Sequence, residues 1–388
     1  MDKKVAIITT HPIQYYAPLF KLLSQNIEVK VFYTWGTASL KKFDPGFGKK
    51  VEWDIPLLEG YNYEFLENNS KEPGSHKFSG IVNSTIINKI ETYNPSLLLV
   101  IGWCYNSHLK VLRHFKGKIP IYFRGDSTLL GNNGIGYLNK GKTLLRKIVL
   151  LWVYKHVDKV FCVGSASKAY FKWVGIKESN IIFAPHSIDN NRFSIDYSTN
   201  AKQLRKQLLI PEEERILLFA GKLEPTKNPI LLIQAFINAN SKALHLIFLG
   251  NGKEEEVLKK IAEESTKKGF IHFVNFQNQS MMPIWYNVSD VFCLTSKGET
   301  WGLVVNESMV CGKAIIASDK VGCAEDLVQN GVNGWVFKSG SQIELKQILE
   351  NIPSKDELLK MGERSKKIIK NWSIEETALK MLKEWERF

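Results

Sequence analysis

Cysteine is scarce in this chain, with five in 388 residues: Cys104, Cys162, Cys293, Cys311 and Cys323. The number is odd, the spacings are irregular, and the surroundings are apolar, as in VFCV and VFCL. That pattern excludes a disulfide scaffold and describes buried small hydrophobes in a reducing cytoplasm, where the protein is expected to reside. No cysteine pair has zinc-ligand spacing and no His-x-Glu or HExxH run occurs, so no protein-held metal is expected. Long apolar runs are missing as well. The opening MDKKVAIITTHPIQ is continuously apolar only from Val5 to Ile8, too short for a signal-peptide core or a membrane span, and reads as a first strand. The fingerprint G-x-G-x-x-G is absent from the first strand-to-helix turn of either half, which argues against a dinucleotide-dependent oxidoreductase. No low-complexity segment or internal sequence repeat stands out.

Apolar residues make up 44% of the chain, charged residues 23% and aromatics 11%, a globular composition that is long enough for two domains. The net charge of +13 is unevenly placed. Residues 1–190 hold 25 Lys and Arg against 14 Asp and Glu, while residues 191–388 hold 27 against 25. Between Lys110 and Lys177 there are 14 basic residues and two acids, Asp126 and Asp158. Such an excess serves as a solvated face or as a contact for an anionic membrane surface or a pyrophosphate-bearing acceptor. Nucleic acid is not an expected partner, since no binding motif or aromatic interleaving accompanies the charge.

Short runs rich in Val, Ile and Phe alternate with amphipathic stretches: VAIITT, IEVKVFYT, LLLVIG, IPIYFRG, KVFCVG and IIFAP in the first half, and RILLFAG, LHLIFLG, IHFVNF, VFCLTS, KAIIAS and NGWVF in the second. Most of each run is continuously apolar, as expected of a strand covered by helices on both faces. The expectation is an α/β fold of two Rossmann-like, doubly wound parallel-sheet domains facing each other across a cleft, residues 1–190 and 191–370, joined through the polar NNRFSIDYSTNAKQLRKQ. Residues 371–388 read as an amphipathic helix with Ile374, Ala378, Met381, Leu382 and Trp385 on one stripe, a candidate to cross back to the N-terminal domain. KGKTLLRKIVLLWVYKH, Lys140 to His156, reads as a second amphipathic helix with a cationic rim. Packing on the sheet and lying on an anionic membrane both suit it.

Two segments carry chemistry. In SKGETWGLVVNESMVCGKAIIAS, Ser296 to Ser318, Glu299 precedes a helix starting near Gly302, and Glu307 projects from that helix's second turn. Eight positions separate the two carboxylates, so they serve different parts of a ligand. The amides of Trp301, Gly302 and Leu303 would point out of the helix start, where free N–H groups and the helix dipole favour an anion. In FAGKLEPTKNP, Phe219 to Pro229, Gly221 permits close backbone approach, and Lys222 and Lys227 follow within reach of a diphosphate. GNGKEEE, Gly250 to Glu256, carries only a partial glycine fingerprint and three acids, and reads as a structural turn.

With these elements the chain resembles the retaining glycosyltransferases of family 4, which have the GT-B fold. The resemblance rests on G-K-L-x-x-x-K, on the E-x7-E element with its ETWG core, and on the order of strands. It implies a nucleoside diphosphate sugar as donor substrate and no cofactor. Lys222 and Lys227 would neutralise the diphosphate, with backbone amides from Gly302 and Leu303. Glu299 would bind the donor sugar and Glu307 the ribose, while the base would lie near Phe276 and Gln277. In the first half THPIQYYAP, Thr10 to Pro18, stands where many members have a glycine-rich turn. That string, DPGFGKKVEWD and FRGDS are similar to a subset acting in cell-surface polysaccharide assembly, which implies a glycan or lipid-linked acceptor and peripheral attachment to the inner face of the cytoplasmic membrane. His11, Arg124 and Asp126 are candidate site residues there; a loop fixture and a structural Arg–Asp pair are the plainer readings. His108 and His114 read as helix-surface histidines, and His186 has no assigned role. The chain has no D-x-D element for a divalent ion. A sugar-nucleotide epimerase on the same fold and a non-catalytic sugar-binding protein are the alternatives.

Overall fold

A computed structural model describes residues 3–44, 49–131 and 140–387. The chain divides into two compact units, one of residues 1–42, 55–186 and 374–388, the other of residues 43–54 and 187–373.

In the first unit the strands are β1 (Lys4–Thr9), β2 (Glu28–Tyr33), β5 (Asn62–Phe65), β6 (Leu97–Ile101), β7 (Ile121–Gly125), β8 (Lys159–Cys162) and β9 (Ile181–Phe183); β3 (Lys42–Asp44) and β4 (Lys49–Val51) pair separately. The seven form a parallel sheet in the order β5-β2-β1-β6-β7-β8-β9. Its helices are α1 (Ala17–Ser24), α2 (Ile86–Tyr93), α3 (Asn106–Phe115), α4 (Lys140–Tyr154) and α5 (Ser165–Val174). The continuous apolar runs have the expected cause. On β1, Val5 and Ile7 face one core with Leu19, Phe20 and Leu23 of α1, while Ala6 and Ile8 face another with Ile86 and Ile90 of α2 and Phe171 of α5.

The second unit contains α6 (Asn190–Phe193), α7 (Ser198–Gln207), β10 (Arg215–Ala220), α8 (Pro229–Asn238), β11 (Leu244–Leu249), α9 (Glu255–Glu263), β12 (Ile271–Val274), α10 (Met282–Val288), β13 (Val291–Leu294), α11 (Leu303–Val310), β14 (Ala314–Ser318), α12 (Ala324–Leu327), β15 (Gly334–Phe337), α13 (Gln342–Glu350) and α14 (Lys355–Ile369). Its six parallel strands run β12-β11-β10-β13-β14-β15. The order reverses between β10 and β13, and at such a switch point the loops leaving the two strands diverge and open a crevice.

Four features depart from the sequence-based expectation. Strand β5 is an edge strand of only four residues, NYEF, with no apolar run to announce it. Residues 43–54 leave the N-terminal half and join the second unit, where Asn278 Nδ2 donates to the Glu52 carbonyl at 2.7 Å and Ser280 N to Asp54 Oδ1 at 3.1 Å. Residues 45–48 of DPGFGKKVEWD lie outside the described residues. The unit boundaries fall after His186 and Ser373 rather than at 190 and 370. Cys104 is exposed, unlike the four other cysteines, because it follows β6 in a loop rather than lying in a strand or helix core. The last helix, α15 (Ile374–Trp385), belongs to the first unit. Its Ile374, Ala378, Met381 and Trp385 pack with Val5, Ile7 and Phe20, and Lys159 pairs with Glu384.

Candidate functional site

The residues singled out in the second half lie at the carboxyl ends of neighbouring strands, on either side of the switch point. Beyond β10 the chain turns at Gly221, whose φ of +151° suits glycine, and runs through Lys222 to Asn228, a left-handed residue preceding Pro229 at the start of α8. Beyond β13, Thr295 Oγ1 donates to the carbonyls of Lys227 and Asn228 at 2.9 and 3.0 Å, and Lys297 N to Thr226 O at 2.8 Å. The two loops are thereby stitched together, and the Lys227 ammonium donates to the Glu299 carboxylate. Those side chains are 24% and 18% exposed, so the charges are paired and still open to a ligand.

Glu299 is held by its backbone: its N–H donates to Lys320 O at 2.9 Å and its carbonyl accepts from Gly322 N at 3.1 Å. A Cβ on Gly322 would lie 1.9 Å from Thr300 O, so only glycine allows this crossing. Gly302, with φ of +97°, caps α11 without any side-chain cap. A Cβ there would lie 3.4 Å from Glu299 Cγ, which sets the carboxylate stem beside the helix start. The indole of Trp301 is buried, donates to Asn306 Oδ1 at 2.9 Å and stacks on Trp372 at 5.1 Å, so this side chain anchors the loop. Glu307, in the second turn of α11, is 1% exposed and accepts a 2.6 Å hydrogen bond from Tyr286 of α10.

The GNG turn after β11 packs on the β10 turn: Leu223 N donates to Asn251 O at 3.0 Å, and a Cβ on Gly250 would lie 2.0 Å from Gly221 O. Asn251 Oδ1 accepts from Phe276 N at 2.9 Å, tying the loop after β12 to the same rim, while Gln277 Nε2 donates to Asn275 O at 3.1 Å. Lys222 and Lys227 thus follow β10, Glu299, Gly302 and Leu303 follow β13, and Phe276 and Gln277 follow β12, three of the four strands that lie side by side as β12-β11-β10-β13. Tyr286 and Gly322 were not singled out from the sequence. Both act through contacts 21 or more positions away, which no local pattern announces.

His11, Arg124 and Asp126 belong to the first unit. His11 follows β1, accepts or donates at Nδ1 with Thr10 Oγ1 at 2.8 Å, and meets Trp35 edge-on at 5.4 Å. Arg124 is 1% exposed and donates to Ala184 O at 2.9 Å and Pro185 O at 2.8 Å, holding the end of β9, with its guanidinium 6.0 Å from the Tyr16 ring. Asp126 lies two residues on and is partly exposed. His186 stacks on Tyr16 at 6.1 Å; burial, then the charge of Arg124, push its pKa down to about 3. His108 is fully buried rather than on the helix surface. Its ring hydrogen-bonds with Thr34 Oγ1 at 2.9 Å and with Gly102 O at 2.7 Å, so α3 turns it inward, and burial lowers its pKa to about 4. His114 remains at the surface with Glu91 at 2.9 Å.

A pH dependence follows from the two buried histidines. Their folded pKa values lie below the ordinary 6.5, so on acidification the unfolded chain takes up protons first. Their contribution is complete above pH 6.5 and falls as pH drops toward 4 for His108 and 3 for His186. At pH 5 the loss is about 2 kcal/mol for each. Thermal unfolding between pH 7.5 and 5 should show a steadily falling Tm; a flat profile would mean that neither ring is buried and neutral.

Residues 200–372 match the family described as "Glycosyl transferases group 1". This group 1 region contains every candidate of the second unit: Gly221, Lys222, Lys227, Phe276, Gln277, Glu299, Trp301, Gly302, Leu303 and Glu307. The chain is 31% identical over 170 residues to the lipopolysaccharide 1,2-N-acetylglucosaminetransferase of Salmonella typhimurium, 41% of this chain and 44% of that one. It spans under half the length of the curated relatives it matches first. Among solved structures it is similar to Anabaena Alr3699/HepE in complex with UDP and glucose, with a TM-score of 0.72, 18% identity and full coverage of both chains. Sucrose-phosphate synthase from Thermosynechococcus elongatus gives 0.75 at 17% identity, covering 99% of this chain and 98% of that one. The fold is the two-domain α/β fold of these GT-B structures.

Proposed function

We propose that the chain is a retaining, metal-independent glycosyltransferase of family 4 that moves a sugar from a nucleoside diphosphate sugar to a hydroxyl of a glycan, lipid-linked or polysaccharide, at the cytoplasmic face of a membrane. The observation that carries this reading is the Lys227–Glu299 pair beside the start of α11, inside the group 1 region. One cation shared between a carboxylate and an incoming diphosphate links the sugar-binding group to the leaving group.

In this reading Lys222, Lys227 and the Gly302 and Leu303 amides stabilise the departing diphosphate without a metal, since fixed donors need not reorganise as charge develops. Glu299 accepts from sugar hydroxyls and Glu307 from the ribose, with the base near Phe276 and Gln277. Loss of the diphosphate on the face from which the acceptor enters would retain the anomeric configuration, and no covalent nucleophile is needed. His11, Arg124 and Asp126 would serve the acceptor, Arg124 by positioning the loop at Ala184 and Pro185.

A panel of nucleotide sugars, screened by saturation-transfer NMR and followed by product analysis, tests the reading. Transfer with the donor's anomeric configuration is expected, and activity should survive excess EDTA. Inverted product would overturn retention. Activity abolished by EDTA and restored by magnesium or manganese would overturn the metal-free account. Interconversion of the nucleotide sugar without transfer would identify an epimerase.

A further inference from the structure

Helix α4 is apolar on two sides. Inward, Leu150, Val153 and Tyr154 join the core of the first unit. Outward, Leu144, Leu145, Ile148, Val149, Leu151 and Trp152 are each 40% exposed or more. At about 100° per residue these six span an arc of about 160°, bordered by Lys147 on one edge and by Lys142 and Arg146 on the other. Two cations lie near Trp152, with Arg113 of α3 5.7 Å and Lys155 5.9 Å from its ring. Beside Leu151 a cavity of about 320 Å³ is lined by Tyr154, Lys155, Gly175 and Lys177. A contiguous exposed face of this kind on a soluble unit marks an interaction surface.

We propose that this face of α4 docks on an anionic lipid surface. Leu144, Leu145, Ile148 and Trp152 enter the boundary between headgroups and acyl chains, while Arg113, Lys142, Arg146, Lys147 and Lys155 meet the phosphates. Charge complementarity selects this occupant. A second copy placed across a two-fold axis would set the same cations against each other, whereas anionic headgroups neutralise them and accept the apolar arc at once. The tryptophan fits as well, because its ring prefers the wet edge of a bilayer. Among the described residues no helix is long and apolar enough to cross a membrane, so α4 would lie in the plane of the interface. The docking rests on the first unit alone and does not depend on the chemistry proposed for the second.

Co-sedimentation of the full chain with vesicles tests it. Binding should be at least about tenfold tighter to phosphatidylcholine vesicles containing phosphatidylglycerol than to phosphatidylcholine alone, and should fall as salt approaches about 0.5 M. Leu144→Ser, Leu145→Ser and Ile148→Ser combined should reduce binding about tenfold or more while leaving Tm unchanged, since these side chains face solvent. Lys142→Glu with Arg146→Glu should remove the preference for anionic lipid. Equal binding to neutral vesicles, or binding unaffected by the triple substitution, would overturn the proposal. So would a dimer in light scattering that the triple substitution dissociates, which would make the face an interface between copies. Calorimetry with a nucleoside diphosphate on the same samples reads the second unit independently: vesicle binding without nucleotide binding would count against the proposed function and leave the docking intact.

Discussion

Lys227→Ala is expected to weaken nucleoside diphosphate binding by more than the loss of one contact. A charge-assisted hydrogen bond contributes about 1.5–3 kcal/mol, so its removal alone costs roughly tenfold to a hundredfold in affinity. A second effect adds to the first. With the ammonium gone, the Glu299 carboxylate beside the start of α11 has lost its cation and repels the incoming diphosphate. Turnover should fall further still, by roughly a thousandfold, because the same cation stabilises the leaving group as its charge develops. The double variant Lys227→Ala/Glu299→Gln should regain part of the nucleotide affinity, since the repulsion is removed, yet regain none of the turnover. Isothermal titration with the cognate nucleoside diphosphate and initial-rate kinetics check both statements. Unchanged affinity in Lys227→Ala would show that the ammonium serves the loop rather than the ligand.

Glu299→Gln and Glu307→Gln should give opposite phenotypes. Glu299 lies before α11 and pairs with a partly exposed lysine; neutralising it releases Lys227 for the diphosphate, so nucleotide affinity is expected to hold or improve while turnover falls about a hundredfold or more. Glu307 is buried in the second turn, with one oxygen accepting from Tyr286. A glutamine keeps that bond but replaces an ionic acceptor for the ribose by a neutral one, and affinity for the free nucleotide should drop about tenfold. Tyr286→Phe should move affinity in the same direction, because the carboxylate is then held by one fewer donor. The reverse pattern, with Glu299→Gln losing nucleotide and Glu307→Gln losing only turnover, would mean that the donor runs the other way along this segment.

Much of this was legible before any coordinates. Twelve apolar runs mark twelve strands because strands covered on both faces cannot alternate, and this rule also hid β5, whose residues lie at an open edge. The glutamate segment and the lysine turn could be read because a strand-end glycine, a helix start and the spacing between them are local properties. The GNG turn could be read as structural from its partial glycine fingerprint and its three acids.

Tertiary structure decided the rest. That Lys227 meets Glu299, 72 positions away, follows from β10 and β13 being neighbours in the sheet, an order that no run of residues encodes by itself. The partner of Glu307, the glycine under Thr300 and the inward turn of His108 likewise depend on which elements pack together. So does the outward arc of α4. Periodicity showed an apolar helix with a cationic rim and could not say which side the core would take, because both sides are apolar enough to be buried. The sheet could cover only one of them, and the other was left facing solvent.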